Sequence, residues 1–223
     1  HVILREFYVE RETPYFADYA RRFTDLPFLV RLTERGDAHV AGAFLTAADL
    51  GETSENAEAK TLVWDTAAGA PVVPNGSIGF RWGQSGKWNI EQKDSQGEEI
   101  DLETTFILDE NQDDVVDVGF PYFANKGHDA FTGTDHPDVL VHKIPVKKLK
   151  LKDGETLVAT VFELFCANYG LDRGLGGEFV ATSYDEMVPY TPAWAEAITG
   201  VPRERIIAVA REFANNAEQT KGK

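Results

Sequence analysis

The sequence predicts an α+β (or α/β) fold in which helical ends flank a β-rich middle. Three observations predict it. Apolar residues recur at helical spacing near both ends. Between Gly51 and about Asp138 that periodicity vanishes, and short β-rich runs alternate with Gly, Pro, Asn and Asp. A strand hairpin and then a helical hairpin fill the remainder. The chain divides into 1–50 (helix and strand entry), 51–138 (β-rich insertion) and 139–223 (strand hairpin and helical hairpin), together expected to form one internal segment of a larger chain.

The first element is read from Val2, Ile3 and Phe7, which share a helical face in "HVILREFYVE". A second helix follows in "TPYFADYARRF". Thr13 suits the N-cap and Pro14 the first turn, while Phe16, Tyr19, Ala20 and Phe23 fall at i, i+3, i+4 and i+7. Arg21 and Arg22 sit in its last turn, where the helix dipole favours cations. "LPFLVRL" reads as a buried strand, and "RGDAHVAGAFL" as a glycine turn with its return strand.

The middle carries "TLVWD", "SIGFRW", "KWNIEQ" and "IDLETTFIL" as short strands; "PNGSIGFRWGQSGKWNIEQ" reads as tight turns between aromatic-bearing strands. Order resumes with "VLVHKIPVKKLKLKDGETLVATVFELFCANYG". Lys152-Asp153-Gly154 is a hairpin turn because Asp-Gly tolerates positive φ. A helix starts near Val161 and stops at Gly170. In the last stretch Thr191 caps, Pro192 opens a first turn, and Trp194, Ala195 and Ile198 form one face. Gly200 ends that helix and Pro202 starts the next. Ile206, Val209, Ala210 and Phe213 are expected to be its packed stripe, with Arg203, Glu204, Arg205 and Glu212 outside.

Composition narrows the function classes. The chain has 223 residues, 43% of them hydrophobic, enough to bury one sizeable core or two small ones. With 37 acidic against 22 basic residues, the net charge of −15 repels phosphate backbones and anionic headgroups. Nucleic-acid and membrane-surface binding are therefore not expected. The single cysteine, Cys166, allows no internal disulfide and fits a reducing, cytoplasmic setting. No apolar run approaches the roughly 18 residues of a membrane-spanning helix. "HVILREF" opens mid-helix without a cap and "AEQTKGK" fades without a stop, so both ends are expected to be cuts in a longer polypeptide.

Sites for chemistry are few. In "DENQDDVVD", Asp109, Asn111 and Asp113 match positions one, three and five of a calcium loop. Position six requires Gly and holds Asp114; position twelve requires Glu and holds Phe120. A solvated acidic loop is the expectation. His128, His136 and His142 share no metal-ligand spacing and read as structural or surface residues. Cys166 lies on an apolar helix beside Phe162 and Phe165 and reads as a buried, inert thiol. "GLDRGLGG" (Gly170 to Gly177) follows a helix instead of a strand and lacks a Lys-Ser/Thr pair, so it is read as a flexible turn. No serine occupies a Gly-x-Ser-x-Gly elbow, and no acid/base pair stands out. No catalytic, cofactor-binding or metal residue is nominated.

Longer stretches carry a resemblance. "YTPAWAEAITGVPRERIIAVAREFA" resembles the helical hairpin of the molybdopterin-guanine-dinucleotide oxidoreductases, the family of formate dehydrogenases and dimethyl sulfoxide reductases. "HVILREF", "YFADYARRFTDLPFLVRL", "NGSIGFRWGQSGKWNIEQ", "VGFPYF", "VLVHKIPVKKLKL" and "CANYGLDRGL…ATSYDE" resemble, in this order, the catalytic α subunit of membrane-bound respiratory nitrate reductase. The resemblance runs over essentially the whole chain, with loops of variable length near 51–60 and 109–136. It implies a parent that reduces nitrate to nitrite. The parent would use bis-molybdopterin guanine dinucleotide with molybdenum, one [4Fe–4S] cluster, an iron–sulfur β subunit and a haem-b membrane γ subunit that oxidises quinol, on the cytoplasmic face of the cell membrane. The family's molybdenum aspartate, cluster segment and pterin loops match nothing in this sequence, so the segment itself is expected to be an inactive scaffold without bound cofactor. Two alternatives stand beside it: a free-standing, non-catalytic cytoplasmic binding or assembly module of the same descent, and an independent hydrolase or metal enzyme, which has no motif behind it. A segment would leave the apolar faces Val2–Phe7 and Ile206–Phe213 uncovered; a module would close them.

Overall fold

The structure, a computed structural model, describes residues 1–75, 102–122, 127–129, 134–136 and 138–221. Helices and sheets both contribute, as the α+β expectation requires. The chain forms two compact units: His1–Ala17, Asp117–Ile144 and Phe165–Lys223 in one, Asp18–Val116 and Pro145–Leu164 in the other.

The second unit is built on antiparallel strands. Strand β1 (Leu29–Arg35) pairs with β2 (Ala38–Phe44) across the turn at Gly36, whose φ of 66° suits glycine. It also pairs with β10 (Gly154–Thr160), and β10 with β9 (Val139–Leu151); β6 (Asp114–Pro121) closes the order β1-β10-β9-β6-β2 into a barrel. Gly42 on β2 is required by closeness: a Cβ there would sit 2.9 Å from the Arg31 carbonyl oxygen. In the β9–β10 turn the positive φ falls on Gly154 (129°), with Lys152 and Asp153 as the two turn residues.

A second sheet orders β4 (Ala70–Val72), β3 (Val63–Asp65) and β5 (Thr104–Thr105). Leu29, Leu45, Leu62, Trp64, Leu108 and Val158 bury together in the core of this unit. The first turn of α2 (Val161–Asn168) is tied to it by buried hydrogen bonds. The Leu108 N–H donates to Glu163 Oε1 at 2.8 Å and the Thr160 hydroxyl donates to the Phe106 carbonyl at 2.6 Å. Phe106 meets Phe162 edge-on at 4.8 Å.

The first unit opens on a π-helix, Leu4–Glu10, where the spacing of Val2, Ile3 and Phe7 predicts an ordinary helix. Val2, Leu4 and Phe7 are buried, so this face is covered. Helix α1 (Pro14–Phe23) begins at Pro14 as predicted. Phe16 and Ala20 are buried, but Tyr19 and Phe23 are exposed, so only half the predicted stripe packs. The structure places β7 (Gly127–Asp129) against β8 (Thr134–His136).

Helix α3 (Pro192–Thr199) is capped as its sequence requires: Thr191 Oγ1 accepts from the Trp194 N–H at 3.2 Å, and Gly200 closes it at φ 71°. Its buried residues are Pro192 and Ala193; Trp194, Ala195 and Ile198 are only partly covered. Helix α4 (Arg203–Thr220) turns the other way from expectation. Ala214 and Ala217 pack on Phe7 and Phe16, whereas Val209 and Phe213 stand 60% and 70% exposed. Small alanines let a helix approach two phenylalanines closely; the bulky stripe would not fit the same gap.

Candidate functional site

In the first unit, polar side chains from distant parts of the sequence converge on Glu6. The π-helix carries it to a position only 6% exposed. Arg211, on α4, donates from Nε to both carboxylate oxygens at 3.0 Å and from Nη2 to Oε1 at 2.6 Å. The Tyr184 hydroxyl donates to Oε1 at 2.9 Å, and Arg11 approaches at 3.6 Å. These donors hold the Glu6 carboxyl below the usual carboxylate range, Arg211 foremost. Burial and the neighbouring Glu6 push the Tyr184 phenol well above its ordinary value.

Around this cluster lies an open polar depression of about 570 Å³, lined by Arg5, Glu6, Glu10, Tyr184, Arg203 and Arg211 among others. Arg203 joins Glu196 on α3 and Asp185, which fixes the α3–α4 hairpin. Acids and guanidinium groups neutralise one another here. The arrangement offers neither a poised base nor a nucleophile; it is built to hold elements together.

The predicted acidic loop is solvent-exposed as expected at Asp109, Glu110, Asp113 and Asp114, but it ends sooner than expected. Asp109–Asn111 is one 3-10 turn, and Asp114 already begins β6. Lys147 reaches Asp113 at 2.7 Å, Lys148 reaches Asp114 at 2.7 Å, and Lys143 reaches Asp117 at 3.1 Å. Burial would raise the Asp113 carboxyl, but Lys147 and the Lys148 N–H outweigh it and hold it low. Asp114 and Asp117 on β6, and Asp113 just before it, are matched by the lysines of β9. Nothing local in "DENQDDVVD" could show that, because the partners lie some thirty positions later.

His142 is on β9, 2% exposed, with its ring 5.7 Å from Phe120 and neither ring nitrogen hydrogen-bonded among the described residues. Burial pushes it down to about 4, so it is neutral. On the backbone, His128 pairs with Asp135 and His136 with Gly127; their side chains lie outside the described residues. Cys166 is buried on α2, as predicted, and Phe165 beside it is exposed. The "GLDRGLGG" stretch is anchored at both ends: the Ala181 N–H donates to the Gly170 carbonyl (φ 63° at Gly170), and Gly177 bridges to His142. The aromatic block around Gly79, Phe80, Arg81 and Trp82 lies outside the described residues.

Among the described residues no three His, Cys, Asp or Glu side chains gather as a metal-binding group, and no helix is long and apolar enough to cross a membrane.

No family model matches the chain. Over its whole length it is 52% identical to a segment of the "Respiratory nitrate reductase 1 alpha chain" of Escherichia coli K12. It is 42% identical to a segment of the "Nitrate reductase alpha chain" of Bacillus subtilis 168, and 42% to one of the "Nitrate reductase alpha subunit" of Mycobacterium tuberculosis H37Rv. The chain spans 17–18% of the length of these curated relatives.

Proposed function

We propose, from the fact that this chain corresponds over its whole length to one segment of nitrate reductase alpha chains, that it is a scaffold segment of a nitrate-reducing molybdenum oxidoreductase. The observation that carries the reading is the collinear similarity of all 223 residues, at 39–52% identity, to relatives of that one function. The parent would reduce nitrate to nitrite with electrons from quinol, delivered through an iron–sulfur subunit and a haem-b membrane subunit on the cytoplasmic face of the membrane.

In the parent, molybdenum with pterin guanine dinucleotides would supply the oxygen-atom transfer chemistry, and a [4Fe–4S] cluster would supply electrons. The donor chemistry of the described residues does not fit either group. Asp113, Asp114 and Asp117 are matched by lysines, Glu6 is held by Arg211, and Cys166 is buried inside a helix. We assign the metal and cluster ligands to the rest of the longer chain. The role left to this segment is mechanical: a barrel unit tied by buried hydrogen bonds and a helical hairpin held by partly exposed ion pairs.

The test is nitrate-dependent oxidation of a reduced viologen dye by the full-length protein and by the 223-residue chain, with molybdenum and iron determined on both. Activity and metal in the first alone support the scaffold reading. A full-length protein without nitrate-dependent activity overturns it.

A further inference from the structure

We propose that Trp194, Tyr122, Tyr190 and Tyr169 form a radical relay, in which an oxidising equivalent that reaches Trp194 is passed on to tyrosine. The relay does not depend on the nitrate reading. All four side chains belong to the first unit, and separate elements bring them together. Tyr122 directly follows β6, Tyr169 follows α2, Tyr190 precedes the cap of α3, and Trp194 lies in the first turn of α3. The Trp194 Nε1–H donates to the hydroxyl oxygen of Tyr122 at 3.0 Å. The Tyr190 ring is 5.3 Å from that of Trp194, 6.0 Å from that of Tyr122 and 5.5 Å from that of Tyr169. At these centroid distances the rings touch, so no saturated side chain separates one from the next.

Two observations reach beyond packing. Tyrosine and tryptophan are the aromatic side chains that give up one electron most readily, and all four members are of these types. Phenylalanine would fill the space without a hydroxyl to satisfy, and it is what this chain uses in the pairs Phe7–Phe16 and Phe106–Phe162. Tyr190, the ring that touches the other three, is held at φ 72°, in the left-handed region that a bulky residue rarely adopts. Burial, with Tyr122 and Tyr169 beside it, pushes the Tyr190 phenol above its ordinary value, so it enters the relay neutral. The oxidant is a one-electron acceptor of the metal-complex class, acting on the half-buried Trp194. It takes one electron from the indole and leaves the radical cation. Tyr190 returns an electron across the ring contact and releases its hydroxyl proton to water. Trp194 is restored, and a neutral tyrosyl radical stands on Tyr190. Oxidant and phenol have become reduced oxidant, phenoxyl radical and one proton. Tyr122 supplies the same electron by the same loss, and its phenoxyl oxygen keeps the Nε1–H that it already accepts. Exchange between Tyr190 and Tyr169 moves one electron and one proton and leaves the balance unchanged.

The test uses the full-length protein with photogenerated tris(bipyridyl)ruthenium(III) as oxidant. Wild type is compared with the double variant Tyr122→Phe, Tyr190→Phe, which keeps both rings and removes the hydroxyls whose protons must leave. Oxygen addition at Trp194 is read by peptide mass spectrometry, with the buried Trp64 of the other unit as control. We expect a several-fold rise at Trp194 in the double variant and no change at Trp64. Equal oxidation of Trp194 in both proteins overturns the proposal. If Trp64 rises as well, the variant has loosened, and a nitroso spin trap on the unsubstituted protein decides. Adducts on Tyr190 or Tyr169 then sustain the relay, and adducts confined to Trp194 overturn it.

Discussion

Replacing Arg211 by Met tests whether the Glu6 cluster is a structural tie. The substitution keeps most of the side-chain stem and removes the guanidinium. Glu6, 6% exposed, then retains the Tyr184 hydroxyl at 2.9 Å and the distant Arg11 at 3.6 Å, and loses three contacts of 2.6–3.0 Å. Breaking a fully buried ion pair costs about 3–5 kcal/mol. Arg211 is half exposed, so solvent screens part of that, and we expect a loss of about 2 kcal/mol. In a Glu6→Gln background no charge is stranded, and the same substitution should cost less than about 0.5 kcal/mol, a coupling of about 1.5 kcal/mol. The sign with pH follows from the lowered Glu6 carboxyl. Its contribution is complete above the unfolded value of 4.5 and is lost as pH falls through the lower folded value. The wild-type advantage over Arg211→Met should therefore be full at pH 7 and shrink as acid protonates Glu6, first in the variant that lacks the guanidinium. The assay is urea unfolding followed by circular dichroism for the four chains of the cycle. A loss below 0.5 kcal/mol at pH 7, or an equal loss in both backgrounds, refutes the reasoning.

Three further outcomes are expected. His142 is buried, neutral and pushed down to about 4, so the unfolded chain binds a proton first as pH falls; between 6.5 and 4 this destabilises the fold by about 3 kcal/mol. Urea midpoints of His142→Leu should fall less steeply than wild type over that interval, and parallel curves would contradict this. Thr191→Ala removes the cap on the Trp194 N–H and should cost about 1 kcal/mol, with Thr191→Ser restoring most of it; equal midpoints for Ala and Ser would show the cap to be idle. Gly170→Ala places a Cβ 2.6 Å from the Phe179 carbonyl oxygen at a φ of 63°, so backbone must move; a thermal midpoint unchanged from wild type would show that it does not resist.

Much of the local structure was determined by the sequence alone. Thr191 and Pro192 start a helix, Gly200 ends it, Pro202 starts the next, and Gly36 and Gly154 turn the strand hairpins, because each acts through its own φ angle, its missing N–H or a hydroxyl three residues from its partner. The similarity to nitrate reductase alpha chains was legible as well, since motifs in fixed order do not depend on how they fold. Tertiary structure decided the rest. Helix α4 carries apolar residues on two sides, and periodicity cannot say which meets Phe7; the room available favoured Ala214 over Phe213. The run "DENQDDVVD" is exposed as its composition suggests, but its lysine partners come from β9, far along the chain. Glu6 and Arg211 stand 205 positions apart, and no spacing rule reaches that far. A residue's conformation is set by its neighbours in the chain, but its partner is set by where the whole chain leaves space and charge unfilled.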